Sequence, residues 1–271
     1  MIIVFGQKVY GKKNTAMSWG HCESCGTFGK KIHYTGSKWT HIYYLPLIPS
    51  GGRTRVIHEC LKCRNAFHIA QKKVPALLDE LKTTSSNAID ALARGEEQFM
   101  DDGAMERCLP ALYGTTEMFH ALGEPNYIEW VLATLQEKNV MRAHDLVLGT
   151  VLEFRGELED ALDVYKTLAA DCPDDLDVLR SLGSIYLLTG DNEKALAAIL
   201  KTMDLSEDRD ERLNLRQLLI GVYEEMGEYD NAIEQYDKCF ELSPKLAKDK
   251  ALRKAYKKAC KKAQSASPYH S

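Results

Sequence analysis

The chain of 271 residues lacks a long apolar run and lacks the motifs of the common enzyme classes. Its longest apolar stretch, Ile42 to Pro49, has eight residues with two prolines, whereas a membrane helix needs about 20 apolar residues. The apolar start, Met1 to Phe5, has no basic residue before it, which argues against a signal peptide and predicts a cytoplasmic protein. Nucleophile-elbow, HExxH and strand-coupled GxGxxG motifs are missing, and the segment around Gly29 and Lys30 lacks two positions of a phosphate-binding loop. We therefore expect a protein that is not an enzyme.

The chain also has little net charge, but the value of −4 averages three different segments. Residues 1–73 carry a net charge of +10, residues 74–244 carry −22 and residues 245–271 carry +8. Charge asymmetry on this scale indicates segments with separate roles. The length is typical of two domains, and the charge pattern places a boundary near residue 74.

Four of the eight cysteines form two CxxC pairs, Cys22 with Cys25 and Cys60 with Cys63. Zinc binds four ligands tetrahedrally and favours thiolates, and a CxxC turn lets two sulfur atoms converge on one ion. In a reducing compartment, paired cysteines more often bind metal than form disulfides. The two pairs predict one structural Zn²⁺. The remaining cysteines are predicted to be small core residues: Cys108, Cys172, Cys239 and Cys260.

The segment between the two pairs reads as β structure, with strands near 31–35, 39–48 and 54–59 and with turns at Gly36-Ser37 and at 49–52. Two knuckles on hairpins resemble the rubredoxin-like zinc ribbons. Over residues 1–72 the chain resembles a small bacterial-type ribbon family that has no established activity. The resemblance implies an antiparallel β domain over 1–73, in which four thiolates leave zinc no open position for catalysis.

Two alternatives remain open for the metal ligands. His58 and His68 lie near the second cysteine pair and are candidates to replace one cysteine. A single CxxC is also compatible with a redox dithiol, although two pairs fit zinc better.

The basic residues of the ribbon suggest a second kind of partner. Trp39, Tyr43 and Tyr44 are available to stack on bases. A phosphate-contacting face is predicted from Lys8, Lys12, Lys13, Lys30, Lys31, Lys38, Arg53 and Arg55. In this alternative the chain is a nucleic-acid-associated regulator. Alternatively, the basic ribbon docks on the acidic helical region of the same chain, which would occupy that face.

Helical periodicity begins near residue 75, and a short motif then recurs. The motif is a glycine, then an acidic or polar segment, then a small residue. It begins at Gly156, Gly190 and Gly227, at spacings of 34 and 37 residues, and a weaker copy begins at Gly123. Glycine ends one helix in the left-handed conformation, an acidic residue favours the start of the next, and alanine lets two helices approach closely. The spacing is typical of a helical-repeat array.

The motif resembles the tetratricopeptide repeat, closely over 142–244 and weakly over 104–141. The resemblance implies an α+β multidomain protein, with a small antiparallel β zinc ribbon followed by an all-α tetratricopeptide-repeat solenoid. The predicted segments are an irregular helical bridge at 74–103, broken near 83–87, helical repeats at 104–244 with best units at 142–175, 176–209 and 213–244, a basic capping helix at 245–264 and a disordered tail at 265–271.

Repeats of this family resemble peptide-binding scaffolds whose concave groove is lined by the first helix of each hairpin. By pattern, the groove residues are Leu146, Thr150, Glu153, Arg180, Ser184, Leu187, Asn214, Gln217 and Glu224. The acidic residues on the groove and its flank favour a neutral or basic peptide. The predicted function is therefore a zinc-stabilised adaptor or scaffold that binds a protein or peptide and has no enzymatic activity.

Overall fold

The computed structural model describes residues 5–22, 28–42 and 45–264. The chain forms two compact units, Met1–Ala161 and Leu162–Ser271. An antiparallel β sheet comes first and a helical-repeat region follows, which confirms the predicted fold class. No helix in the described part of the chain combines the length and apolarity needed to cross a membrane.

The sheet is an antiparallel meander, because strands that are neighbours along the chain are also neighbours in the sheet. Its strands are β1 (Phe5–His21), β2 (Phe28–Ile42), β3 (Leu45–Cys60) and β4 (Phe67–Ala70). Extra residues in β1 shift its register against β2 between Tyr10 and Ala16. Gly11 (φ 69°) and Asn14 (φ 50°) lie in this stretch. Such bulges bend a strand and increase its twist.

Gly36 was predicted to lie in a turn, and this prediction is wrong because the residue lies in the middle of β2. A Cβ atom at this position would lie 2.4 Å from Val9 Cγ1 and 2.8 Å from the carbonyl oxygen of Tyr10. Glycine therefore lets β1 approach closely. On the same face of the sheet, Val9 forms a small core with Tyr34 and Val56. The turn predicted at 49–52 is likewise part of β3.

The first unit continues with helices and one further hairpin. Its elements are α1 (Val74–Ala93), β5 (Gln98–Asp101), β6 (Ala104–Arg107), α2 (Cys108–Leu122), α3 (Pro125–Glu137) and α4 (Met141–Arg155). Helices α2 and α4 both contact β1. The helical part of this unit is therefore packed against the sheet.

Helix α1 is continuous, so the break predicted near 83–87 does not occur. The polar side chains that suggested a break have partners within the fold. Thr83 donates to the carbonyl oxygen of Asp79 at 2.9 Å, and the buried Ser85 bonds to the Leu81 carbonyl at 2.9 Å and to Thr115 Oγ1 at 2.8 Å. Hydroxyl groups that bond back to the preceding turn are compatible with a helix.

Helical hairpins follow in the described part of the chain, and the tail predicted at 265–271 lies outside the described residues. The helices are α5 (Leu158–Asp171), α6 (Leu176–Thr189), α7 (Asn192–Leu205), α8 (Arg209–Met226), α9 (Tyr229–Leu242) and α10 (Lys250–Ala263). The repeated glycines each end a helix in the left-handed conformation, at φ 78–82°: Gly123, Gly156, Gly190 and Gly227. The short interhelical turns thus follow from the repeated sequence motif.

Helix α10 covers the last apolar face of the second unit. Tyr256, Ala259 and Cys260 are buried against Tyr236 and Phe240 of α9. The Tyr256 hydroxyl donates to Asp237 at 2.7 Å. The lysines of α10 lie on its exposed side, because the apolar residues recur at helical spacing on the other side.

Candidate functional site

A cysteine cluster lies at one end of the β sheet. Cys22 directly follows β1, Cys60 ends β3 and Cys63 lies in the turn after β3. The three Sγ atoms lie within 4.8 Å of one another, and those of Cys22 and Cys63 are 3.6 Å apart. The fourth predicted ligand, Cys25, lies outside the described residues. The three cysteines form a group that could hold a metal ion.

The second knuckle is a tight turn built by the backbone. The amide of Arg64 donates to the Cys60 carbonyl at 2.9 Å, and the amide of Cys60 donates to the Asn65 carbonyl at 3.0 Å. Backbone N–H groups of Cys63 and then Lys62 hold the pKa of Cys60 below its usual value. A lowered thiol pKa favours the thiolate, which is the form that binds a metal.

The two histidine alternatives lie outside the cysteine group. His58 Nε2 is 3.3 Å from Glu117 Oε1 of α2, so its ring is directed towards the helix. His68, in β4, is exposed. Within the described part of the chain, the ligand group consists of cysteines alone.

The sheet is joined to α2 through buried polar contacts that the sequence did not predict. Lys31 Nζ lies 2.5 Å from Glu117 Oε1. The guanidinium of Arg55 donates twice to the Ala121 carbonyl, at 2.9 and 2.5 Å, near the carboxyl end of α2. Since unpaired helix carbonyls carry partial negative charge, a cation at this end stabilises the helix. Burial lowers the pKa of Arg55.

His33 is completely buried on the same face of the sheet. The backbone amide of His58 donates to its Nδ1 at 3.1 Å, so this nitrogen carries no proton, and Nε2 donates to Ser18 Oγ at 2.8 Å. Burial first, and then the neighbouring His58, lowers the pKa of His33 to about 2. Serine catalysis needs a ring nitrogen that accepts the hydroxyl proton. Ser18 and His33 lack this arrangement and serve as a buried hydrogen-bonded pair.

The helices of the second unit are packed through small and apolar residues. A Cβ atom added to Gly183 of α6 would lie 3.2 Å from Ile199 Cγ1 of α7, which shows how closely the two helices approach. Ile199 belongs to a core that continues into α8 and α9 through Leu219, Tyr223 and Ala232. Each hairpin therefore buries its apolar side against the next hairpin.

The predicted groove residues of α4 have mixed positions in the first unit. Leu146 is completely buried, so it is a core residue and the prediction that it lines an open groove is corrected. Thr150 is half-buried and donates to the Leu146 carbonyl at 3.0 Å. Glu153 is also half-buried.

The groove residues of α6 are half-buried, and the most polar of them is engaged. Arg180 lies 2.6 Å from Asp177 and also pairs with Glu211 of α8. Ser184 is half-buried, and Leu187 packs against the core shared by α7 and α8. The positive charge of Arg180 is thus neutralised within the second unit.

The groove residues of α8 form the most accessible part of the predicted surface. Asn214 and Gln217 are exposed and one helical turn apart, so they lie on the same side of the helix. Glu224, half-buried, accepts a hydrogen bond from the Tyr236 hydroxyl at 3.0 Å. The flanking Asp210 and Glu225 are exposed.

Family comparisons agree with the helical geometry. Models of the tetratricopeptide repeat match residues 178–213 and residues 221–246. Over these residues, the carboxy-terminal helices are similar to tetratricopeptide repeats. The matched residues cover most of α6, all of α7 and α9, and the two ends of α8.

The solved structures that are similar to the chain include the following two. One is TTC0263, a thermophilic TPR protein of Thermus thermophilus, with 21% identity, coverage of 66% of this chain and 98% of that chain, and a TM-score of 0.39. The other is the MamA protein, with 19% identity, coverage of 69% and 93%, and a TM-score of 0.31. A comparison with curated proteins finds no match.

Proposed function

We propose that the chain is a non-enzymatic adaptor that binds a protein or peptide through the first helices of its tetratricopeptide repeats. The observation that carries this proposal is the exposed polar side of α8, with Asn214 and Gln217 on a helix whose opposite side is buried. Amide side chains donate and accept hydrogen bonds, so they can pair with a peptide backbone. The family match supports protein binding in general.

The partner of this surface is a neutral or basic peptide. Arg180 is neutralised by Asp177 and Glu211, whereas Asp210 and Glu225 beside the amide residues are exposed. The accessible charge around the exposed side of α8 is therefore negative. Charge complementarity across an interface favours a partner without negative charge at this place.

The test is affinity capture with the full chain, followed by mass spectrometry. The double variant Asn214→Arg and Gln217→Arg places two bulky cations on the exposed side of α8. The control, Ala197→Arg, adds one cation at an exposed position of α7. A partner that the wild type and the control capture, and that the double variant loses, supports the groove. A partner retained by all three proteins contradicts it.

We further propose that Cys22, Cys25, Cys60 and Cys63 hold one structural zinc ion. The three described sulfur atoms lie close enough to share an ion, and Cys25 follows Cys22 at the spacing that brings two thiolates together. Zinc would join the ends of β1 and β3, and structural zinc contributes about 10–16 kcal/mol in zinc-finger peptides. A closed thiolate site has no open position for a reacting water.

Metal analysis tests this proposal. We expect close to one zinc per chain in the wild type and in Cys172→Ser. Cys172 lies outside the cluster and is exposed, so its prediction as a core residue was wrong. We expect Cys60→Ser to lose the metal and to unfold the sheet at a lower temperature. Equal zinc content in Cys60→Ser and Cys172→Ser would refute the assigned ligands.

The cytoplasmic location and the docking of the ribbon on the acidic helical region stay predictions. The ion pair of Lys31 with Glu117 and the contacts of Arg55 with α2 support such docking. If docking is electrostatic, salt should weaken the association of separately prepared halves. Association that is unchanged by salt would contradict this explanation.

A further inference from the structure

A cleft of about 460 Å³ opens on the face of the sheet that also carries Lys31 and His33. Its walls come from β1, β2 and β3: Tyr10, Gly11, Lys13, Asn14, Thr35, Gly36, Ser37, Trp39 and Arg53. Thr35, Ser37 and Trp39 alternate along β2 and therefore share one face. Ser37 is paired with Tyr10 on one side and with Arg53 on the other, so these residues form a row across three strands.

Helix α2 covers only part of this face. Lys31, His33 and Arg55 contact α2 directly or through its histidine. Arg55 also donates to the Asn14 carbonyl and to Thr35 Oγ1, both at 3.2 Å, and thus closes the end of the cleft next to the helix. Beyond that point, Lys13 and Arg53 of the cleft are exposed.

The charge in the cleft is positive. Lys13 and Arg53 are exposed, and neither forms an ion pair with another residue among those that the structure describes. No lining residue of the cleft is acidic. Glu59, one of two acidic residues in 1–73, is engaged with Lys12 and Arg64 outside the cleft. A site with accessible cations and no carboxylate attracts an anionic ligand.

The aromatic content of the cleft narrows the class of anion. Tyr10 and Trp39 are half-buried and line its walls. Every nucleobase has a flat face that stacks on an aromatic ring, and the adjoining phosphate needs a cation. Hydroxyl and amide groups of Thr35, Ser37 and Asn14 add hydrogen-bonding groups beside the rings.

We propose that this cleft binds single-stranded nucleic acid, with a base stacked on Trp39 or Tyr10 and with phosphates at Lys13 and Arg53. Duplex bases are stacked on one another, so the site fits a single strand rather than a duplex. The cysteine cluster and the exposed side of α8 contribute no residue to the cleft. This binding is therefore independent of the adaptor role proposed above.

Fluorescence anisotropy of a short labelled oligothymidylate with the full chain tests the proposal. For two phosphate contacts to a single strand, the slope of log K against log salt concentration is about −1.4, and Arg53→Ala should reduce it to about −0.7. Trp39→Ala should weaken binding about 5- to 150-fold, as expected for the loss of one stacking contact. Lys72→Ala removes an exposed cation outside the cleft and should leave affinity and slope unchanged.

Arg53→Ala also distinguishes a loss of binding from a folding defect. Arg53 is exposed, so its replacement keeps the sheet intact, which circular dichroism verifies. Absence of binding at about 50 mM salt overturns the proposal. Equal loss in Arg53→Ala and Lys72→Ala overturns it as well, because it shows that net charge alone decides. If thymidine monophosphate binds as tightly as the oligomer, the ligand is not a strand. If polyglutamate of equal charge displaces the oligomer, the ligand need not be a nucleic acid, and the proposal is overturned.

Discussion

Replacement of the buried His33 by glutamine should change how the stability of the protein depends on pH. The ring of His33 is neutral in the folded state, and its pKa is lowered to about 2 from the ordinary value of 6.5. In the unfolded chain the same ring takes up a proton near pH 6.5. When the pKa of a group is lower in the folded state, the folded protein is most stable above the unfolded-state pKa. As the pH falls below the unfolded-state pKa, only the unfolded state binds the proton, and the free energy of unfolding decreases.

The size of the effect follows from this linkage. At pH 7.5 the unfolded ring is mostly neutral, and protonation lowers the free energy of unfolding by about 0.1 kcal/mol. At pH 5.5 the unfolded state gains about 1.4 kcal/mol from protonation, whereas the buried ring stays neutral. His33 therefore accounts for a loss of about 1.3 kcal/mol between these two pH values.

The assay is urea unfolding of the wild type and His33→Gln at both pH values, with the same metal content. Glutamine keeps a donor that can reach Ser18 but leaves the backbone amide of His58 without its acceptor, which costs about 1–3 kcal/mol at every pH. The variant should be less stable at pH 7.5 and should lose less stability on acidification. An identical pH-dependent loss in both proteins would refute the assignment of a neutral, buried His33.

Two further substitutions test the packing of the sheet. Gly36→Ala should destabilise the protein by about 1–3 kcal/mol, because the new methyl group meets Val9 and a backbone oxygen. The control Gly221→Ala has open space around it in α8 and should stabilise the protein by about 0.5–1 kcal/mol. Equal effects of the two variants in thermal unfolding would contradict the close approach of β1 to Gly36. Arg55→Ala should cost about 2–3 kcal/mol in urea unfolding, since it removes the charged donor to the carboxyl end of α2, and Lys72→Ala should change stability by less than about 0.5 kcal/mol.

The helical hairpins were predictable because their signals are local and repeated. Glycine in the left-handed conformation at Gly156, Gly190 and Gly227 ends a helix whatever the distant neighbours are. Asp191 shows the same locality, since its side chain accepts the Lys194 amide within one turn. A periodic signal repeated three times therefore specifies three hairpins.

Other elements depend on contacts that are remote along the chain. The β5–β6 hairpin was missed, although Asp102-Gly103 is a recognised hairpin turn, because its strands are only four residues long. Strand β1 was missed because its polar and bulged sequence lacks a strict alternation. Both elements can be recognised only when the strands that pair with them are known.

The candidate sites divide in the same way. CxxC spacing pointed to Cys22, Cys60 and Cys63, and the fold brings these three together. No local signal joins Lys31 to Glu117, which lies 86 residues later in the chain. Opposite charges at such a distance have many candidate partners, so the fold alone selects this pair.

The contact of Arg55 with the end of α2 also determines which pieces of the protein are meaningful to study. A fragment that ends at residue 73 would lack α2, and it would expose Arg55, Lys31 and His33, which the full chain covers. Such a fragment would present two additional uncovered cations, which would strengthen its attraction for polyanions beyond that of the intact protein. Nucleic-acid affinity measured on it would describe an artificial surface, and only the intact first unit preserves the natural one.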